Sequence, residues 1–262
     1  MSIVRAKKHL GQHFLRDESV ALRIAESLPL RKAGEDRTVI EVGPGTGALT
    51  RHLVKRDDID LTCFEVDTES VAYLEAHYPQ LKVLQRDFLR MDPDRISSGC
   101  FAVIGNFPYN ISTQIVFKVI EHRDRATELV GMFQKEVADR LCAGPGSKTY
   151  GVSSVIAQAW YDMHMLFVVE PTAFYPPPKV RSAVIRMSRN NVGKLPCDEA
   201  LFFRVVKTAF NQRRKTLHNA MKSLPELPAT GVPEAYATKR AEQLSVADFI
   251  ALTQACSPVA AS

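Results

Sequence analysis

The 262-residue sequence predicts an α/β fold with a mostly parallel sheet, followed by a small second domain. Short apolar segments typical of buried strands alternate with segments of helical periodicity. Successive predicted strands end in a glycine-rich loop, an acidic residue or a polar turn. In open α/β sheets ligands bind beyond the carboxyl ends of the strands. The pattern therefore predicts a ligand site along that edge of the sheet.

The composition is that of a globular protein, with 45% hydrophobic and 24% charged residues. No segment approaches the roughly 20 apolar residues of a membrane span, and no apolar signal core follows the basic N-terminus. We therefore expect a cytoplasmic protein without a membrane partner. The 5 cysteines are far apart and form no C-x-x-C pair, which argues against a metal site and against a disulfide framework.

The N-terminal segment, residues 5–18, is basic and then partly apolar. Phe14 and Leu15 favour docking onto the protein, which would place Gln12 or His13 over a ligand. The alternative is a free basic arm, the usual state of such termini. A helix should follow, because apolar residues recur at helical spacing after residue 19.

A glycine-rich loop follows the first predicted strand, residues 38–42. Gly43, Gly45 and Ala48 fit the pattern G-x-G-x-x-G/A of dinucleotide-binding proteins. Glycines at such a turn let the backbone bend tightly and approach a ligand closely. A lone glycine loop is weak evidence, so its weight depends on the strands beside it.

The next two predicted strands, residues 61–67 and 81–87, carry acids at their carboxyl ends. Glu65 lies roughly 20 residues beyond the glycines, where an acid can hold the hydroxyl groups of a ribose. Asp87 ends the third strand. Its simpler interpretation is a helix cap or a turn.

The fourth predicted strand, residues 101–104, leads into the turn where we expect the chemistry. Pro108 fixes its own φ and restricts Phe107 to extended conformations, which can align the Phe107 carbonyl with the side-chain oxygen of Asn106. Two converging acceptors match the two donors of an exocyclic amino group, and Tyr109 can stack on the ring that carries it. The alternative is an ordinary polar turn between a strand and a helix.

Later elements complete the first predicted domain, residues 1–189. A proline-rich segment, 171–178, should be stiff and extended, and we favour a structural role over a nucleobase groove. The boundary is placed at 190, where the apolar period is lost. Strands are predicted at 128–133, 163–169 and 180–187, with a helix at 152–160.

The second predicted domain, residues 190–262, is helical, with a continuous helical face from Leu201 to Met221 and a last helix near 244–252. The chain has a net charge of +5. Basic runs are usually solvated faces, but here phosphate contact is the better interpretation, since the proposed site suits a base. The residues predicted to contact nucleic-acid phosphates are Lys207, Arg213, Arg214 and Lys215, with Lys7 and Lys8 in the arm.

Together these segments resemble the ribosomal RNA adenine N6,N6-dimethyltransferases of the small-subunit type, the KsgA family. The resemblance runs nearly end to end, and its motifs are specific in their order and spacing. They are Gly11–Leu15, Glu41–Thr50, Glu65 with Asp67, Asp87, Gly105–Ser112, Gln134–Ala138, Pro171–Val184 and Phe210–Lys215.

The resemblance implies a methyltransferase-type Rossmann fold, with a seven-stranded sheet that includes an antiparallel member. It implies S-adenosylmethionine as the cofactor and methyl donor. The cofactor-binding residues that it implies are His13 and Leu15 as a cover, Gly43 and Gly45 near the methionine part, Glu65 on the ribose, Asp87 on the adenine amine, and Asn106 between cofactor and target.

The activity implied is N6,N6-dimethylation of two adjacent adenosines near the 3′ end of 16S ribosomal RNA during small-subunit biogenesis, by a monomer. The catalytic residues carried over are Asn106, Phe107, Pro108 and Tyr109. Two positions depart from the usual pattern. His13 stands where Asn is frequent, and Phe107 stands where Leu is frequent, which can alter the shape of the pocket.

Four other functions share parts of the pattern. A dinucleotide-dependent dehydrogenase would explain the glycine loop and Glu65 but not Asn106–Tyr109, and tight NAD binding would identify it. A DNA adenine methylase shares the Asn-x-Pro-Tyr turn but not the rest of the match. Relatives that methylate large-subunit RNA are closer, although the block Phe210–Lys215 favours the small-subunit type. A non-enzymatic assembly factor is disfavoured as the sole function.

Overall fold

A computed structural model describes residues 4, 7, 10–32 and 34–257. The chain divides into two compact units, Met1–Ala138 with Asp162–Arg189, and Asp139–Tyr161 with Asn190–Ser262. The predicted boundary at 189/190 coincides with one junction between them. The placement of 139–161 differs from the prediction, because the Trp160 ring lies 6.2 Å and 6.0 Å from the rings of Phe202 and Phe203.

Seven strands of the described chain form one sheet in the first unit. They are β2 (Thr38–Val42), β3 (Asp60–Glu65), β4 (Lys82–Gln85), β5 (Phe101–Asn106), β6 (Ala126–Gln134), β7 (Tyr161–Val169) and β9 (Ser182–Arg189). Their order in the sheet is β4-β3-β2-β5-β6-β9-β7. The strand pairs from β4 through β6 are parallel, and β9 runs antiparallel to β6. This confirms the predicted mostly parallel sheet with an antiparallel member.

The centre of this sheet is apolar on both faces, as expected of parallel strands covered by helices. Val39 and Ile40 of β2 and Val103 and Ile104 of β5 are fully buried. After β2 the chain continues on one side into β3, whereas β5 lies on the other side. The carboxyl ends of β2 and β5 therefore form the switch point at which such sheets bind ligands.

Helices of the first unit follow the strands. The predicted first helix begins at Glu18, directly after its cap, since the Asp17 carboxylate accepts hydrogen bonds from the backbone of Ser19 and Val20. The Asp67 carboxylate caps the helix after β3 in the same way. The helices are α1 (Glu18–Glu26), α2 (Thr50–Leu53), α3 (Thr68–His77), α4 (Ser112–Glu121) and α5 (Lys135–Cys142), the last of which continues into the second unit.

The N-terminal arm, here Lys7 and residues 10–16, is docked. Its strand β1 (Phe14–Leu15) pairs antiparallel with β8 (Phe174–Tyr175) of the proline-rich segment. The backbone N–H of Arg16 extends the pairing to the Ala173 carbonyl at 2.8 Å. The proline-rich segment therefore has the structural role that its stiffness suggests.

The second unit is helical, and its first long helix is shorter than the sequence suggests. The predicted helical face from Leu201 to Met221 is interrupted, because α7 ends at Asn211 and the chain turns through 212–216. Residues 211–215 are all polar, so no side chain there can hold another helical turn against the core. The helices are α6 (Val152–Gln158), α7 (Glu199–Asn211), α8 (Leu217–Ala220), α9 (Glu234–Ala237) and α10 (Val246–Cys256).

No helix among residues 10–32 and 34–257 combines the length and the apolar character needed to cross a membrane.

Candidate active site

The loop after β2 depends on glycine conformations. Gly43, Gly45 and Gly47 have φ values of +69°, +55° and +80°, in the left-handed region that favours glycine. A Cβ atom added at Gly45 would lie 3.0 Å from the Phe14 ring of the arm. The loop backbone at Gly45 is therefore packed closely under the Phe14 ring of the arm.

Glu65, at the end of β3, is held rigidly by backbone donors. Its Oε2 accepts from Gly45 N at 3.1 Å, and its Oε1 accepts from Val66 N and Asp67 N at 2.8 Å and 2.9 Å. Burial raises the pKa of this carboxyl, against the effect of the three N–H donors. Glu65 lines the cavity beside the glycine loop, whereas Asp67 caps α3 and pairs with Lys7.

Asp87 is a cap, the simpler of the roles considered for it from the sequence, and it also lies at the cavity. Its Oδ1 accepts from Leu89 N at 2.9 Å, which caps a short 3-10 turn. The residue also lines the same cavity as Glu65. The cap fixes the carboxyl at the edge of the cavity.

Asn106 ends β5 with its amide oriented by the arm. Asn106 Nδ2 donates to the His13 carbonyl at 3.1 Å. The ring of Phe107 is buried and packs edge-on to Phe133, with centroids 5.2 Å apart. Among the described residues, none donates a hydrogen bond to Asn106 Oδ1 or to the Phe107 carbonyl. Asn106 and Phe107 both line the cavity described below.

Tyr109 is anchored at its hydroxyl, which lies 2.5 Å from the Ser182 hydroxyl. Burial raises the pKa of Tyr109, so the phenol stays neutral at physiological pH. The His13 ring stacks on Tyr109 with centroids 5.5 Å apart. Pro108 lies against the glycine loop, since a Cβ atom at Gly43 would be 3.6 Å from its Cδ.

One cavity of about 380 Å³ brings together every predicted catalytic and cofactor-binding residue. Cavities of this size hold small-molecule ligands in proteins. The predicted residues that line it are His13, Leu15, Gly43, Gly45, Glu65, Asp87, Asn106, Phe107, Pro108 and Tyr109.

The predicted RNA-binding residues fall into two groups. Lys207, Arg214 and Lys215 are exposed on the second unit. Arg213 is engaged within that unit, since its Nε lies 2.8 Å from Glu242 Oε2 and it also donates to the Ser147 carbonyl.

Lys7 is likewise engaged, with Asp67 and, at 3.2 Å, with Glu69. Lys8 lies outside the described residues. RNA contact by these arm residues stays a prediction.

Glu41 lines the cavity, although no role for it is predicted from the sequence. It is 1% exposed, and its Oε2 accepts from the Thr50 hydroxyl at 2.8 Å. Burial raises the pKa of Glu41 to about 7. The available signal was an acidic residue inside an otherwise apolar strand, directly before the glycine loop.

Replacing Glu41 with Gln should change how stability depends on pH. Because the pKa of Glu41 is about 7 in the folded protein and near 4.5 when unfolded, the folded state holds the extra proton between these values. Wild-type stability should therefore decline, relative to Glu41→Gln, as pH rises from about 4.5 to 7, by about 3 kcal/mol.

Urea unfolding at several pH values measures this difference. Glu75→Gln, at an exposed glutamate of the same unit, is the matched control and should follow the wild-type pH dependence. Parallel curves for wild type and Glu41→Gln would contradict the assignment.

Comparison with known proteins gives consistent matches. A family model described as ribosomal RNA adenine dimethylase matches residues 3–255. The chain is 52% identical over 257 residues to a Flavobacterium johnsoniae protein named ribosomal RNA small subunit methyltransferase A, with 97% of each chain covered. A Cytophaga hutchinsonii protein of the same name is 51% identical, with 97% of this chain and 98% of that one covered.

Two solved structures resemble the fold. A dimethyladenosine transferase from Plasmodium falciparum superposes with a TM-score of 0.77 at 22% identity, covering 92% of this chain and 96% of that one. The 23S rRNA methyltransferase ErmE gives a TM-score of 0.68 at 27% identity, covering 92% and 99%.

Proposed function

The chain belongs to the ribosomal RNA adenine dimethylase family, and on that premise we propose that it dimethylates N6 of two adjacent adenosines near the 3′ end of 16S ribosomal RNA during small-subunit biogenesis. The observation that carries the proposal is the pair of acceptors, Asn106 Oδ1 and the Phe107 carbonyl, in the same cavity as the glycine loop and Glu65. The small-subunit target is supported by the names of relatives about half identical over nearly the whole chain.

The cofactor of the family is S-adenosylmethionine, and the cavity suits it. The glycine loop offers bare backbone, and the Glu65 carboxylate is held in place for ribose hydroxyl groups. Asp87 is fixed at the same cavity, where it can accept from an adenine amine. When bound, S-adenosylmethionine supplies an electrophilic methyl group, so the protein need only orient the attack.

Asn106 and Phe107 tune the nucleophile in this proposal. The N6 lone pair of adenine is delocalised into the ring, which makes the amine a poor nucleophile. Acceptors at Asn106 Oδ1 and the Phe107 carbonyl draw its two N–H bonds out of the ring plane and localise the lone pair on nitrogen. No strong base is needed, because methylation itself acidifies the amine.

Tyr109 provides the surface on which the extruded base stacks. A base that leaves its helix loses its stacking interactions. Stacking on an aromatic side chain stabilises the extruded base by about 1–3 kcal/mol. The hydrogen bond to Ser182 and the neutral phenol keep the ring in a fixed position. A base held by its ring and its amine meets the donor in a defined geometry.

Lys207, Arg214 and Lys215, which are exposed cations of the second unit, are proposed to contact RNA phosphates, and the test uses Arg214 and Lys215. Arg213 is paired with Glu242 and is left intact in the test, since replacing it would combine a folding effect with a binding effect. Neutralising Arg214 and Lys215 with Gln should weaken rRNA binding and flatten the slope of log Kd against log salt by about 1.5, for two lost phosphate contacts.

The matched control replaces Lys55 and Lys82, two exposed lysines of the first unit, with the same loss of charge. This control variant should leave the slope of log Kd against log salt closer to the wild-type value. Equal slopes for wild type and the Arg214 and Lys215 double variant would remove these residues from the RNA interface.

The experiment that tests the function is to map labelled methyl transfer from S-adenosylmethionine onto three substrates: immature small ribosomal subunits, free ribosomal RNA and DNA. We expect N6,N6-dimethyladenosine at two adjacent positions near the 3′ end of 16S RNA in the immature subunits. Transfer to large-subunit RNA or DNA, with none to the small subunit, would overturn the proposal.

A further inference from the structure

We propose that His13 is a positioning residue whose backbone carbonyl orients the Asn106 amide, so that docking of the N-terminal arm switches on the acceptor pair for the target amine. This inference rests on the proposed function and deepens it. It concerns which end of the Asn106 amide faces the base.

The chemistry of the contact determines that orientation. A backbone carbonyl can only accept a hydrogen bond, so the Asn106 atom 3.1 Å from the His13 oxygen must be the amide nitrogen. The side-chain oxygen of Asn106 is then directed away from the arm. Without the arm, the amide can rotate and present N–H donors to the target amine, which itself has only donors to offer.

His13 itself is held at several points. Its Nδ1 lies 2.8 Å from the Pro176 carbonyl, which fixes a proton on that nitrogen. Its ring stacks on Tyr109, the proposed partner of the base. One arm residue therefore contacts both side chains that are proposed to hold the substrate.

The rest of the arm connects His13, through an ion pair and hydrogen bonds, to the part of the cavity that is proposed to bind the cofactor. Lys7 pairs with Asp67, and the Asp67 backbone N–H donates to Glu65. The Gln12 side chain accepts from Lys7 N at 2.9 Å. A continuous set of contacts thus runs from Glu65, the proposed ribose-binding acid, to the Asn106 amide that is proposed to bind the base.

Gly11 allows this docking and offers a way to test it. Its φ is +64°, and a Cβ atom there would lie 2.8 Å from Asn110 Oδ1. Gly11→Val should release the arm, since a β-branched residue is strained at positive φ. Gly34→Val is the matched control, because Gly34 has φ +89° with nothing within 4 Å of the added Cβ.

The test has two readouts. In the nuclear magnetic resonance spectrum, the Asn106 side-chain amide, assigned with Asn106→Ala, should exchange with solvent about tenfold faster in Gly11→Val than in wild type or Gly34→Val. At saturating S-adenosylmethionine and RNA, kcat of Gly11→Val should fall by about tenfold or more. If the arm only covers the cofactor, the KM for S-adenosylmethionine would rise while kcat stayed unchanged, and the inference would be wrong. An unchanged exchange rate would also overturn it, because the arm would then not hold the Asn106 amide.

A second variant changes Asn106 rather than the arm, and so tests the same hydrogen bond to the His13 carbonyl. Asn106→Asp places a carboxylate oxygen against the His13 carbonyl, so the arm should detach and trypsin should cut within it about tenfold faster than in wild type. An unchanged cleavage rate would overturn the inference.

The exchange and cleavage measurements do not depend on activity. A wild-type protein that transfers no methyl group to ribosomal RNA would refute the proposed function without affecting them.

Discussion

Asn106→Ala should lower methyl transfer by about 10³-fold or more while S-adenosylmethionine still binds. The variant removes the side-chain acceptor, leaving the Phe107 carbonyl as the sole remaining member of the pair that is proposed to localise the N6 lone pair. Loss of one preorganised polar group at a reacting centre costs about 10²–10³ in rate. The His13 carbonyl of the arm loses its amide donor in the same variant.

Single-turnover transfer to immature small subunits measures the rate of methyl transfer. Calorimetry with S-adenosylmethionine measures whether the cofactor still binds. Asn219→Ala, at an exposed asparagine of α8, is the control and should transfer at the wild-type rate. Turnover by Asn106→Ala within a few-fold of wild type would remove Asn106 from the mechanism.

Gly131→Ala, a substitution within the sheet, should lower both the stability of the protein and kcat at the same site. A Cβ atom at Gly131 would lie 2.1 Å from Phe107 Cε2, and one at Gly105, its partner on β5, would lie 2.6 Å from Cε1 of the same ring. Overpacking of this kind costs about 1–3 kcal/mol. Movement of the Phe107 ring also shifts its carbonyl, and a misplacement of about 1 Å can lower kcat by about 10²-fold.

The double variant Gly131→Ala with Phe107→Leu tests the cause. The smaller side chain should relieve the collision and restore part of both stability and kcat, with a coupling of at least about 1 kcal/mol between the two sites. Gly144→Ala is the control, since an added Cβ meets nothing within 4 Å. Strictly additive effects of the two substitutions would exclude this explanation.

The same contact explains the departure at Phe107. The sequence raised the expectation that Phe in place of Leu can change the shape of the pocket. The ring lies in the core over Gly105 and Gly131, at 1% exposure, Phe107 also lines the cavity, and its backbone carbonyl carries the proposed function. Two glycines on neighbouring strands accommodate the larger side chain.

The strands and the residues at their carboxyl ends could be predicted from the sequence because their signals are local. An apolar run such as 38–42 identifies a buried strand, and the glycines after it identify a tight turn. Parallel strands bring their ends to one edge, so Gly43, Glu65, Asp87 and Asn106 were expected to lie together, and one cavity contains them all. In this way local pattern and the rule for parallel sheets predicted the fold class and the edge of the sheet that carries the candidate site, whereas the cofactor-binding roles of His13, Leu15 and Asp87 were implied by the family resemblance.

The tertiary structure alone decided which partner each side chain has. It paired Arg213 with Glu242, gave 139–161 to the second unit, and turned Glu65 rather than Asp67 to the cavity. It also placed the His13 carbonyl on the Asn106 amide. These contacts join residues far apart in the chain, and periodicity carries no information about them. They depend on how the packed elements bring donors, acceptors and charges within bonding distance.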